Sequence, residues 1–295
     1  MATNDDLNRL QQDMLELLFE AADLSKKEVF LKAVEFINSW PNYAPFNMYL
    51  MFVQNPDMKY PCSTIDLKQL DRAPKSGVRP VAILKPFWPV DFVYDLDDTM
   101  PLSGSDDEMN QKALEYLERN KGNAHIHAER WFMRLWNYLA RNNISLLEGD
   151  SQTMISPDGH IPDALAIKHK TKGNCILVRP GQLGPSLKEE TIANVIHELA
   201  HHMLGHLGEI LLQRKASSNN PADSVKVPDR RYLSQASHEW EAETVSHLVC
   251  NVLMLKTSAA EYLAHWNVFE GKKIPAIDFK LVLRTAHSII KLRIS

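Results

Sequence analysis

The twelve residues V-I-H-E-L-A-H-H-M-L-G-H, 195–206, constrain this chain more than any other stretch. His197, Glu198 and His201 stand in the order H-E-x-x-H. On an α-helix, residues four apart differ by only about 40° in direction, so both imidazoles face one point and Glu198 lies one step round. That arrangement suits a Zn²⁺ ion with a carboxylate beside it to take a proton from an attacking water and pass it to a leaving amine. Zinc needs a third protein ligand, commonly a carboxylate from another helix. The chain must therefore bring a second, acidic element against this one.

The surrounding sequence supplies a helix. G-P-S-L-K-E-E-T-I-A-N predicts a capping box, Ser186 as N-cap and Glu189 at N3, and the helix ends near Gly205. On a continued helix His202 points about 100° from His201, and His206 about 180° from His197. Neither joins the first pair, and both read as solvent-facing or core-satisfied histidines.

Ser234 to Leu255 predicts a second strong helix, S-H-E-W-E-A-E-T-V-S-H-L-V-C at its heart. Glu239 and Glu243 share a face with Ala242, Ser246 and Cys250, small residues that allow close approach. Val245, Leu248, Val249, Val252 and Leu253 take most of the opposite side, where Glu241 also points. The acidic partner is thus Glu239 with Glu243, or Glu241 alone, but not both sets. We favour Glu239 as ligand and Glu243 as the acceptor that orients a metal-bound imidazole. His238, Tyr232 and Arg231 are candidates for stabilising an oxyanion.

Elsewhere the periodicity predicts an α+β chain. Leu7 to about Asn38 reads as two helices broken near Leu24 and Ser25, followed by a helix from Pro45 to Gln54. R-P-V-A-I-L-K-P-F-W-P-V-D-F-V-Y-D-L alternates and is punctuated by prolines as strands would be. S-G-S-D-D-E-M, 103–109, is the linker candidate, which sets domains at 1–103 and 104–295. Helices follow at about 107–120 and 124–141. A-L-A-I-K-H-K-T-K-G-N-C-I-L-V-R-P reads as two strands about a turn at Gly173. The second, C-I-L-V-R-P, is a candidate edge for an extended peptide substrate. Residues 207–233 read as a long loop.

Composition excludes little and assigns no partner. With 44% hydrophobic and 24% charged residues and a net charge of −4, the chain has no overall attraction to nucleic acid or acidic lipid. Three separated cysteines without C-x-x-C support neither a disulfide framework nor a cysteine zinc site. The acidic amino terminus is unlike a signal peptide, and no apolar run has bilayer length. These features predict a cytoplasmic protein without membrane attachment.

H-E-L-A-H-H-M-L-G-H, then E-W-E-A-E-T-V-S-H-L-V-C and E-Y-L-A-H-W, resembles the ImmA/IrrE-type zinc metallopeptidases, most closely their branch in ArdC-like antirestriction proteins. The resemblance implies a zincin-like domain, Zn²⁺ held by His197, His201 and Glu239, Glu198 as catalytic carboxylate, and Ala242 and Glu243 in the helix signature. N-Y-A-P-F-N-M-Y-L-M-F-V-Q-N-P-D and L-K-Q-L-D-R-A-P-K-S-G-V-R-P-V-A-I-L-K-P are similar to the smaller α+β ArdC-type N-terminal domain, which in that family binds single-stranded DNA. The chain departs from that pattern at Leu67, where an aromatic is usual, at Asp71, where glycine is usual, and at Ser76 to Val78. Residues 1–100 carry ten Lys or Arg against fifteen Asp or Glu, net −5, yet Lys59, Lys68, Arg72, Lys75, Arg79 and Lys85 cluster where a basic groove would need them. Tyr43, Phe46 and Tyr49 are candidate stacking surfaces there. The expectation is a zinc metalloendopeptidase acting on a protein substrate, a regulator or DNA-associated partner. The alternative is an antirestriction-type binder of single-stranded DNA in which zinc is mainly structural.

Overall fold

The computed structural model describes residues 21–85, 90–103, 106–120, 128–150, 153–155, 161–184, 187–213, 224–255 and 273–293. The chain divides into two compact units, residues 1–123 and 124–295, and each combines helices with strands in an α+β arrangement.

In the first unit α1 (Lys27–Ser39) and α2 (Pro45–Gln54) precede β1 (Pro61–Ser63), α3 (Thr64–Gln69), β2 (Arg72–Pro74), β3 (Val81–Ile83), β4 (Asp91–Asp95), β5 (Thr99–Pro101) and α4 (Asp106–Asn120). Phe30, Ala33, Val34 and Ile37 recur at helical spacing and form the buried stripe of α1. Pro45 opens α2 at a position whose N–H would have had no helical partner. Strands β1, β4 and β3 form an antiparallel sheet in that order, and β2 pairs with β5. Helix α1 starts at Lys27, after the turn at Leu24 and Ser25, while the helix expected from Leu7 lies largely outside the described residues.

Residues 106–109 of the stretch read as a linker belong to helix α4. The Tyr116 hydroxyl on α4 donates to Asp66 on α3 at 3.2 Å. The break between units therefore falls one helix later than the 103/104 boundary expected from composition.

Among the stacking and basic residues of this unit, Tyr49 and Arg72 are placed differently from the sequence expectation. Tyr49 is fully buried and belongs to the core; Tyr43 and Phe46 are partly exposed. Arg72 is buried, donating to the Thr99 hydroxyl and carbonyl at 2.8 and 3.0 Å. Lys85 pairs with Asp91, Lys59 with Asp97, and Lys75 donates to the Asp97 carbonyl. Asp71 adopts φ +51°, the left-handed region that favours glycine.

The second unit runs α5 (Ala128–Arg141), β6 (Ile144–Glu148), β7 (Ala164–His169), β8 (Gly173–Val178), α6 (Glu189–Met203), β9 (Ile210–Gln213), β10 (Ser224–Val227), α7 (Gln235–Val252) and α8 (Phe279–Ile290). Its sheet has the order β6-β8-β7, with β6 parallel and β7 antiparallel to β8. Gly173, at φ +73°, turns β7 into β8 as the sequence predicts.

Three expectations for this unit are corrected. Strand β8, which contains C-I-L-V, is central and has neighbours on both sides, so it offers no edge to a substrate. Residues 207–233 are not all loop, because β9 and β10 pair antiparallel within them. Helix α6 begins two residues later than the predicted capping box requires: Lys188 is the N-cap without a side-chain bond, and Glu189 is the first helical residue rather than N3. Ser186 and the E-Y-L-A-H-W segment, 261–266, lie outside the described residues. Among the described residues no helix is long and apolar enough to cross a membrane. Cys62, Cys175 and Cys250 are buried free thiols.

Candidate metal centre

Helices α6 and α7 carry the site. Ile192, Val195, Ile196, Leu199 and Ala200 on α6 are buried, which orients the helix and sends His197 and His201 along one partly open strip. On α7 the small residues Ala242, Ser246 and Cys250 are buried, and the Ser246 hydroxyl donates to the Ala193 carbonyl of α6 at 3.3 Å. Close approach through this strip brings the carboxylates of α7 up to the two imidazoles.

His197, His201 and Glu239 converge. The two Nε2 atoms lie 3.1 Å apart, and Glu239 Oε2 is 3.4 Å from one and 3.8 Å from the other. A tetrahedral Zn²⁺ with ligand bonds of about 2.0–2.1 Å separates its ligand atoms by roughly 3.3 Å, so the three donors fit one ion. Among the described residues this is the one group of three or more His, Cys, Asp or Glu with such convergence. Side-chain exposures of 19%, 12% and 46% for His197, His201 and Glu239 place the open side at Glu239.

Hydrogen placement strengthens the fit. Glu243 Oε2 lies 3.0 Å from His197 Nδ1, and a carboxylate can only accept. The hydrogen of a neutral His197 therefore sits on Nδ1, and its Nε2 lone pair faces His201 Nε2. Burial opposes a charge on His197, but the Glu239 and Glu243 carboxylates outweigh it and raise the ring well above the ordinary imidazole range. His201 is pushed the other way, by burial and by the surrounding histidines. Positive charge is thus favoured on the side of the cluster where the acidic groups converge.

Glu198 sits beside this strip, and its Oε2 accepts the Ala166 N–H of β7 at 2.6 Å. Burial raises its carboxyl above the ordinary carboxylate range, against the pull of His197 and the Ala166 N–H. Strand β7 is an edge of its sheet among the described residues. In an antiparallel ladder alternate residues turn their N–H and C=O away from the neighbouring strand, and Ala166 is one of these.

The other predicted residues divide. His202 is a core histidine, donating from Nε2 to the Cys175 carbonyl at 3.1 Å, and burial lowers its pKa to about 4. His206 is buried but is not a bystander, because its Nδ1 lies 3.0 Å from His201 Nδ1. Extrapolating an ideal helix misplaces it. Helix α6 stops at Met203, Gly205 takes φ +77°, and the His206 and Gly205 N–H groups return to the carbonyls of His201 and His202 at 3.0 and 3.2 Å. This Schellman closure swings the ring back beneath His201.

Glu241 is likewise engaged rather than excluded. It is fully buried and holds His206 Nε2 at 2.9 Å and the Arg230 guanidinium at 2.6 and 2.7 Å. Both acidic sets of α7 are therefore used, in different roles. Of the oxyanion candidates, Tyr232 is exposed and Arg231 forks onto Asp229. His238 stacks on His206 with ring centres 4.3 Å apart and meets the Arg230 carbonyl at 3.1 Å. Arg230 was not singled out by the sequence; its only signal there is an arginine in the polar stretch before the acidic helix. Comparison of the chain with protein-family models, with curated proteins and with solved structures found no match.

Proposed function

We propose that the chain is a zinc-dependent metalloendopeptidase of the H-E-x-x-H type with a zincin-like second unit, acting on a protein substrate. One observation carries this reading: two imidazole nitrogens and a carboxylate oxygen face a common point within ligand distance of one another, with Glu198 alongside. The resemblance of the two helices to ImmA/IrrE-type metallopeptidases supports it.

When bound, zinc supplies Lewis acidity that acidifies water and polarises a carbonyl. The residues of the chain do the rest. His197, His201 and Glu239 would hold the ion, and Glu243 fixes the His197 ring so that its Nε2 faces inward. Glu198 takes the proton of the attacking water and returns it to the departing amine. A carboxyl raised above its ordinary range is better matched to that second transfer than a fully exposed one. The outward edge of β7 runs next to Glu198, which takes the Ala166 N–H, so an extended peptide adding to this edge as a further strand would have to displace that bond and free the Glu198 carboxylate.

The test is Glu198→Gln. Metal content measured by elemental analysis should be unchanged, while cleavage of an unfolded protein substrate, followed by mass spectrometry, should fall by about 10²–10⁴-fold. A Gln variant that still cuts at the wild-type rate overturns the mechanism.

A further inference from the structure

We propose that His206 is a positioning residue for the metal ligand His201, aimed by the buried Arg230–Glu241 ion pair. The inference rests on the metal reading above and adds to it the groups that set the orientation of the second imidazole.

The argument runs from the protein interior outward. Glu241 Oε1 accepts from Arg230 Nη2 at 2.6 Å and from the Asp278 N–H at 2.6 Å. Its Oε2 accepts from Arg230 Nη1 at 2.7 Å and faces His206 Nε2 at 2.9 Å. A carboxylate held by a two-pronged guanidinium is an acceptor only. His206 Nε2 must therefore carry a hydrogen, and a neutral His206 then presents an acceptor at Nδ1. The atom 3.0 Å away is His201 Nδ1, which must supply the hydrogen. His201 is left with its lone pair on Nε2, the atom that faces His197 Nε2 and Glu239.

One assignment of hydrogens thus satisfies every contact of His206, and it leaves the His201 lone pair facing that of His197, where an ion would sit between them. His197 reaches the same state through a single carboxylate, Glu243. For His201 the carboxylate lies one ring further back, and His206 transmits its orientation. Stacking on His238 fixes the plane of that intervening ring. A reversed His206, with its hydrogen on Nδ1, would set two donors against each other or move the His201 hydrogen to Nε2, where it blocks ligation.

The experiment measures Zn²⁺ affinity of the full chain by competition with a chromophoric chelator, for wild type, His206→Leu and His206→Gln. Leu removes both hydrogen-bonding atoms and should cost about 10–100-fold in affinity. Gln offers one acceptor and one donor with similar reach and should retain most of the affinity. A merely structural His206 would change the melting temperature of the metal-free variants and leave Zn²⁺ affinity alone; equal affinity in His206→Leu and wild type overturns the proposal. If the Leu variant does not fold, ¹⁵N NMR of histidine-labelled, Zn²⁺-loaded wild type decides. The expected result is a hydrogen on Nε2 of His206 and on Nδ1 of His201, and a hydrogen on Nδ1 of His206 overturns the relay. A wild type that binds no Zn²⁺ removes the metal reading itself, and the relay with it, a result distinct from intact binding that ignores residue 206.

Discussion

Gly205 does more for the site than its missing side chain suggests. At φ +77° it ends α6 and returns the chain so that His206 lies under His201, and a Cβ built there would stand 2.1 Å from the Pro228 carbonyl oxygen. An L-residue is disfavoured in this conformation by about 1–2 kcal/mol even without a clash. Gly205→Ala is therefore expected to destabilise the protein by about 2 kcal/mol or more, lowering the melting temperature by roughly 4 °C or more. Zn²⁺ affinity should fall with it, because the turn can relax only by moving His206. Calorimetry and a chelator competition would check both effects. The sequence places a glycine here and predicts a helix end. It does not show that the next residue folds back, since direction beyond a C-cap depends on which carbonyls are recaptured, and these are the carbonyls of His201 and His202.

Across α7, three glutamates at alternate positions serve three tasks. Glu239 faces the metal position, Glu243 holds His197, and Glu241 turns into the interior toward Arg230 and His206. Glu239→Gln should lower Zn²⁺ affinity more than Glu243→Gln, for which about 10–100-fold is expected from loss of an orienting group. Equal losses would show that the two carboxylates share ligation. The face analysis of this helix was legible in the sequence, because small residues beside two glutamates mark a surface made for close approach, and Ser246 makes that contact. The engagement of Glu241 was not legible, because its partners His206 and Asp278 lie 35 and 37 residues away, and Arg230 reaches it only through the path of an irregular segment. Other elements divide on similar grounds. Pro45–Gln54 and the hairpin about Gly173 carry strong local signals. The strands β9 and β10 do not, with four residues each on either side of a polar stretch, β9 a brief apolar run and β10 an alternation too short to stand out. The order of β6, β8 and β7 is a matter of pairing between distant segments, and no local pattern encodes that C-I-L-V lies in the middle.

At the scale of the whole chain, every residue of the candidate metal centre and its supports lies in the second unit, 124–295. The first unit has its own core, in which Tyr49 and Arg72 are interior residues, so their substitution should act through folding rather than through a surface. Within the second unit Glu241 ties the end of α6, the segment at Arg230 and the start of α8 to a single side chain, since its Oε1 also accepts the Asp278 N–H just before Phe279. A ligand present at 100 times its Kd deepens the folded state by about 2.7 kcal/mol, and amides that open only when the site opens should exchange about 100-fold more slowly. Hydrogen exchange with and without Zn²⁺ should therefore slow across α8 as well as across α6 and α7; slowing confined to α6 and α7 would show that α8 opens independently. The consequence of so placing one anion is mechanical: if the proposed centre holds zinc, a chelator that strips it should loosen α8, although no residue of that helix is among the candidate ligands.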